Sequence, residues 1–252
     1  TSVINIKQEL LKELIENTSF SMGNQDIRAY LNGLFFELDQ NSLTVVATDG
    51  HRLSIGEVKQ ENSLEERKTV ILPRKAVLEL TKLLNKSSQS NAEIHLSDNY
   101  FSLIDVDTKI ISRLIDGNFP NYKQVMPTDF SNTIVINRTD FLSSLQQASI
   151  FVDERTKGVK LVFRDDKLSI FSHSERGRAE TQLEVTKQEK ELEIAFNIHY
   201  LISVLEKLTT REINMVIPGG ENKSCLISAT DDESYQYIIC LLYTSPSPRD
   251  EK

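Results

Sequence analysis

The chain has 252 residues, 39% of them hydrophobic and 26% charged, an ordinary globular composition with length for one large domain or two smaller ones. No apolar run approaches the roughly 20 residues that cross a bilayer, and the opening TSVINIKQELLKELI has neither a basic leader nor an apolar signal core, which reads as a cytoplasmic protein. Cys225 and Cys240 are too few for a disulfide framework and lack CxxC spacing, so no metal or cofactor is expected; the net charge of -8 excludes a uniformly basic surface but allows nucleic acid if the positive residues gather on one face.

In chain order, residues 2–6 read as a strand and 7–18 as a helix with Leu10, Leu11, Leu14 and Ile15 on one face. Strands follow over 33–39, 42–48 and 51–59. TVILP then enters a second helix, 74–85, with Pro73 suited to its first turn and an apolar stripe of Val77, Leu78, Leu80, Leu83 and Leu84. Strands near 92–97, 100–106 and 108–115 complete the unit. A second round repeats this order, with helices near 138–149 and 198–208.

The two rounds are copies. NGLFFELDQNSLTVVATD (32–49) lies without a gap over KGVKLVFRDDKLSIFSHS (157–174), an offset of 125, placing Gly33 on Gly158, Leu34 on Val159, Phe36 on Leu161, Leu43 on Leu168 and Val45 on Ile170. ILPRKAVLELTKLL falls on AFNIHYLISVLEKL at an offset of 124, and VINIKQELLKELI on TIVINRTDFLSSL at 130. A period this long points to a duplicated domain, because a solenoid repeat would be several times shorter. Each copy is strand, helix and three strands, twice over, so the fold class is α+β with two tandem copies of one domain. The expected division is 1–118, a Gly-, Pro- and Asn-rich linker over 119–131, and 132–239.

TVVATDGHRLSIGEV (44–58) raises the question of catalysis, since Asp49, His51 and Arg52 stand within four positions. Apolar alternation on either side of Asp49-Gly50 reads as a hairpin with a two-residue turn. Strand alternation would send neighbouring side chains to opposite faces, and no serine or cysteine nucleophile is tied to them, so a hydrolase using Asp49 and His51 is the weakest reading. Residues of such a turn can instead form the wall of a binding pocket.

Four motifs carry a resemblance: ATDGHRLS (47–54), LIDGNFPNYKQVMP (114–127), RTKGVKLVF (155–163) and FNIHYLISVLEKL (196–208). In this order they resemble the bacterial DNA polymerase III beta-subunit, or sliding-clamp, family over about residues 1–239. The resemblance implies a subunit of three similar domains, two subunits of which close head to tail around duplex DNA. It covers the second and third domains only, so a fragment lacking the first domain is expected, and a monomer rather than the family homodimer. The tail CLLYTSPSPRD (240–250) looks like a translated sequencing adapter, and residues 240–252 are set aside as a scar.

The family role is non-enzymatic: a processivity factor that tethers the DNA polymerase III alpha subunit, the clamp loader and other clamp-binding-motif proteins through a pocket for a short peptide bearing a glutamine and a Leu-Phe-like pair. The pocket implied here comprises Leu31, Thr48, Gly50, His51, Arg52, Leu53, Pro120, Val125, Ser224 and Ile238, and Gln124 departs from the arginine many relatives carry. Gln25, Arg28, Tyr30 and Lys75 are implied to face the DNA. Sliding calls for diffuse positive charge without base readout. Segment 73–86 carries +3, from Arg74, Lys75, Lys82 and Lys86 against Glu79, whereas 6–17 carries -1 and the other two helices balance. The alternative is a peptide-binding adaptor with no DNA role.

Overall fold

The structure, a computed structural model, describes residues 2–62, 64–84, 90–105, 108–186, 191–218 and 224–242. Lys86 and residues 243–252, on which two of the sequence expectations fall, lie outside the described residues. The chain divides into two units, Thr1–Tyr122 with Ser234–Gln236, and Lys123–Glu233 with Tyr237–Lys252.

The first unit runs β1 (Ser2–Lys7), α1 (Gln8–Thr18), β2 (Gly33–Leu38), β3 (Ser42–Thr48), β4 (Arg52–Lys59), β5 (Lys68–Pro73), α2 (Arg74–Leu83), β6 (Asn91–Leu96), β7 (Tyr100–Ile104) and β8 (Lys109–Arg113). Its strands form two antiparallel layers, β1-β6-β7-β8 and β5-β2-β3-β4. The opening strand of each half is exchanged: β1 pairs β6, with Ile4 opposite Ile94, and β5 pairs β2, with Leu34 opposite Leu72. Neither half can therefore close its own sheet. This exchange makes one domain of the two half-repeats.

The second unit repeats the scheme with β9 (Thr133–Asn137), α3 (Arg138–Ser149), β10 (Gly158–Arg164), β11 (Lys167–Ser174), β12 (Gly177–Glu184), β13 (Leu192–Asn197), α4 (Ile198–Leu205), β14 (Glu212–Val216), β15 (Ser224–Ala229) and β16 (Tyr235–Cys240). β13 pairs β10 and β9 pairs β14, the same exchange eight strands later. The aligned pairs Leu34/Val159, Phe36/Leu161, Leu43/Leu168 and Val45/Ile170 are all buried to within 1% exposure, so the sequence repeat is a repeat of core positions.

In the first unit, Leu11, Leu14 and Ile15 of α1 and Val77 and Leu80 of α2 bury against Ile4, Ile6, Leu34, Phe36, Leu43, Val45 and Phe101. Full burial of each such side chain contributes about 1.5–3 kcal/mol. Gly33 is required by close approach: a Cβ there would lie 2.7 Å from Ile71 Cγ2 and 2.8 Å from the Leu72 carbonyl oxygen. The α2 stripe is narrower than its sequence implied, since Leu78 and Leu83 are 46% and 49% exposed. Successive leucines at positions 78, 80 and 83 cannot all face one layer at 100° per residue. Pro73 ends β5 and caps α2 with an extended ψ of 145° rather than sitting inside the first turn.

Helix ends consume charge. Lys12 Nζ donates to the Leu84 carbonyl at the end of α2 (2.7 Å), and Arg138 donates to the carbonyls of Leu205 (3.1 Å) and Thr210 (2.9 Å) after α4. In both units a cation of the first helix thus satisfies carbonyls at or just past the end of the second, where the helix dipole is negative. α3 and α4 begin on Asn137 and Asn197, whose side-chain oxygens accept from the backbone N–H of Asp140 and His199.

Candidate functional site

The hairpin turn comprises Asp49, Gly50 and His51, one residue more than its sequence suggested. Thr48 pairs with Leu53, and Gly50 takes φ +89°, a left-handed conformation that favours glycine. Asp49 Oδ1 accepts the backbone N–H groups of His51 (2.9 Å) and Arg52 (3.0 Å), so the turn is organised by a carboxylate and not by backbone alone. Thr48 Oγ1 accepts from Gly50 N–H and donates to the Arg52 carbonyl.

Asp49 and Arg52 converge as a pair, while His51, the third residue of the group, is exposed. Arg52 Nε is 3.0 Å from Asp49 Oδ2, because the turn, unlike a strand, brings these residues to one side. Its NH2 also donates to the Phe20 carbonyl (2.8 Å), and the guanidinium lies 5.5 Å from the Phe20 ring centroid. With its side chain 17% exposed, Arg52 is framework: it ties the turn to the 3-10 turn that follows α1.

A second loop packs on the first. Asn32 Oδ1 accepts Asp26 N–H (2.9 Å) while Asn32 Nδ2 donates to the Asp26 carbonyl (2.8 Å), and Gly23 N–H donates to the Leu31 carbonyl (2.8 Å). Gln25 has φ 58° and is exposed; Ile27 at the tip is 99% exposed. Arg28 binds Asp26 through two hydrogen bonds of 2.9 Å, which with the Arg28 backbone N–H hold the Asp26 carboxyl down at about 2 from an ordinary 3.8. The Arg28 guanidinium also covers the turn: a Cβ on Gly50 would lie 3.2 Å from its NH2. Arg28 and Gly50, assigned by resemblance to different surfaces, are therefore neighbours within the first unit. Tyr30 packs beside Gly117.

The remaining assigned residues spread further. Leu31 and Leu53 are buried in the first unit, at 1% and 7%, and Pro120 is exposed. In the second unit Val125 is 49% exposed at the end of a 3-10 turn (Tyr122–Val125), Ser224 is half-buried at the start of β15, and Ile238 of β16 is 3% exposed. Lys75 is exposed on the first turn of α2, and among the described residues no ion pair holds it. Lys82, by contrast, pairs with Glu79 at 2.9 Å.

Sequence reasoning missed Asp26, Phe20 and the Glu37–Arg67–Tyr122 group, which lies on the same unit. Only Asp26-x-Arg28 left a local signal, as an acid two residues before a base. Among the described residues no group of three or more His, Cys, Asp or Glu side chains could hold a metal ion, and no helix is long and apolar enough to cross a membrane.

The family model for the DNA polymerase III beta subunit central domain matches residues 5–121, and that for its C-terminal domain matches residues 123–243. The chain belongs to the DNA polymerase III beta-subunit family. It is 37% identical over 235 residues to the beta sliding clamp of Haemophilus influenzae, covering 93% of this chain and 63% of that protein. The Pseudomonas putida beta sliding clamp is 33% identical over 236 residues, at 93% and 64% coverage. Among solved structures, the DNA polymerase III subunit beta of Pseudomonas aeruginosa superposes with a TM-score of 0.92 at 30% identity, covering 97% of this chain and 66% of that one. The Thermotoga maritima beta subunit gives 0.90 at 28% identity with the same coverage. The chain thus spans less than two thirds of the length of these curated clamps. The fold is two tandem clamp domains, each built from antiparallel sheets and two helices.

Proposed function

We propose that this chain is the central and C-terminal part of a DNA sliding clamp, a non-catalytic processivity factor that encircles duplex DNA and tethers the replicative polymerase. The observation that carries the reading is the ordered match of both beta-subunit domain models to two units of one topology. The partners proposed are double-stranded DNA, the DNA polymerase III alpha subunit, the clamp loader and other proteins bearing a clamp-binding peptide. We infer the domain division 1–118, 119–131 and 132–239.

On this reading Gln25, Arg28, Tyr30 and Lys75 face DNA, and Lys75 is the group best suited to exchange with counterions, since it is exposed and unpaired among the described residues. Arg28 contributes less charge than its type suggests, because Asp26 already holds it. The first-unit residues proposed for the peptide are Leu31, Thr48, Gly50, His51, Arg52, Leu53 and Pro120. Their turn is rigid through Asp49 and Arg52, which suits a docking edge that must not be reordered on binding. Val125, Ser224 and Ile238 are proposed for the same ligand on the resemblance.

Fluorescence anisotropy with a labelled peptide bearing glutamine and a Leu-Phe pair tests the peptide reading. Saturable binding that alanine at Leu-Phe abolishes is expected; equal signal from both peptides contradicts it. In the full-length clamp, Lys75→Ala should lower the salt dependence of DNA association by about one phosphate contact, a slope change of about 0.9. Unchanged loading, sliding and salt slope in Arg28→Ala and Lys75→Ala clamps would remove these residues from the DNA side.

A further inference from the structure

β2 is buried on both of its faces. Leu34, Phe36 and Leu38 enter the main core, whereas Phe35 and Glu37 point the other way and are still only 8% and 6% exposed. Much of that face is covered by the chain leaving β8. Ile115 N–H donates to the Ile71 carbonyl (2.9 Å), the Phe119 ring stacks on Phe35 at 4.6 Å and 11°, and the Tyr122 ring meets Phe35 edge-on at 6.3 Å. The Tyr122 hydroxyl then donates to Glu37 Oε2 (3.1 Å), and Arg67 NH2 lies 2.6 Å from the same oxygen.

A buried carboxylate on a strand is costly unless charge and hydrogen bonds offset its desolvation. Here the charge comes from Arg67, ahead of β5, and the hydrogen bond comes from a residue 85 positions away. Glu57 of β4 is the other acidic group acting on Tyr122; burial, with Glu37 second, holds the phenol far above its ordinary value, so it stays a donor. Phe119 and Tyr122 anchor the chain three residues apart. Pro120 and Asn121, both exposed, form the short arch between them.

We propose that Glu37, Arg67 and Tyr122 form a latch that docks residues 115–122 on the first unit and so positions Pro120 for the peptide ligand. The three are positioning residues, none touching the ligand, and the inference rests on the peptide reading above. Without the latch the arch would be ordered only when ligand binds, and that ordering cost would appear as lost affinity.

The test uses Tyr122→Phe, which removes one hydroxyl and keeps the ring, and Glu37→Gln, which keeps an acceptor but discharges the pair with Arg67. Amide hydrogen exchange at Ile115, whose N–H is bonded to the Ile71 carbonyl, is measured beside that of β3, together with affinity for the labelled Gln/Leu-Phe peptide. The latch predicts exchange about tenfold faster at Ile115 with β3 unchanged, and a roughly fivefold weaker peptide Kd, in both variants. Unchanged exchange in both variants overturns the latch. Faster exchange with unchanged affinity overturns the positioning role. If the wild-type chain fails to bind the peptide, the peptide reading falls and the positioning role with it, while the exchange data still decide whether the arch is latched.

Discussion

Replacing Arg52 by alanine separates a framework arginine from a rim arginine. The substitution removes the ion pair with Asp49, whose two side chains are 17% and 19% exposed, the donation to the Phe20 carbonyl, and the contact with the Phe20 ring. The part-buried pair is worth about 1 kcal/mol. The charged hydrogen bond contributes about 1.5–3 kcal/mol, and the ring contact about 0.5–1 kcal/mol. These terms overlap, so a net loss of about 3 kcal/mol is expected, which lowers the melting temperature of a unit of roughly 120 residues by about 10 °C. Urea and thermal unfolding followed by circular dichroism measure it. Arg52→Lys, which keeps the cation but not the fork, should retain part of the loss, about 1–2 kcal/mol below wild type. A loss under about 0.5 kcal/mol in Arg52→Ala would show that the guanidinium does not hold the turn.

Gly33→Ala should destabilise by about 1–3 kcal/mol, since its Cβ would meet Ile71 and the Leu72 backbone below 3 Å; a neutral urea midpoint would refute that crowding. Asn137→Ala and Asn197→Ala should each cost about 1 kcal/mol through loss of a helix cap, read in the same assay, and a serine at either site should recover most of it. Asp26 is depressed in the folded chain, so its contribution is present above about pH 4 and lost as pH falls from 3.8 towards about 2. Amide protection over 24–32, taken relative to the intrinsic exchange rate at each pH, should fall across that window in the wild type and be insensitive to it in Asp26→Asn. Burial pushes the Cys225 thiol up, so alkylation mapped by mass spectrometry should reach Cys225 only after unfolding, and rapid native labelling would contradict the packing of β15.

The strand and helix order was legible because each element carries its own periodicity: the alternation of Ile4 and Ile6, or Leu11, Leu14 and Ile15 on α1, is visible without a partner. The duplication was legible for the same reason, since repeated core positions repeat residue classes. What the sequence hid is set by long-range partners. The exchange of β1 and β5 depends on which edges meet, and the apolar type of Leu78 gives no sign that it is exposed. The hold of Arg52 on the turn was hidden because Phe20, 32 positions earlier, gives no signal of its carbonyl. Nor could a helix charge count see that Lys12 and Arg138 are engaged on helix ends. Within the peptide site, Gly50 was readable from turn chemistry, whereas the docking of Phe119 and Tyr122 on β2 was not, because their GNFPNY setting has the composition of a linker.

The measurement that bears most directly on the clamp reading is retention on DNA by the full-length protein after loading onto a closed circle. Cutting the circle once should release the protein by sliding off the ends within the time of the assay, while uncut circles keep it through the same high-salt wash. Equal retention on cut and uncut DNA, or equal loss from both, would contradict a ring held by topology.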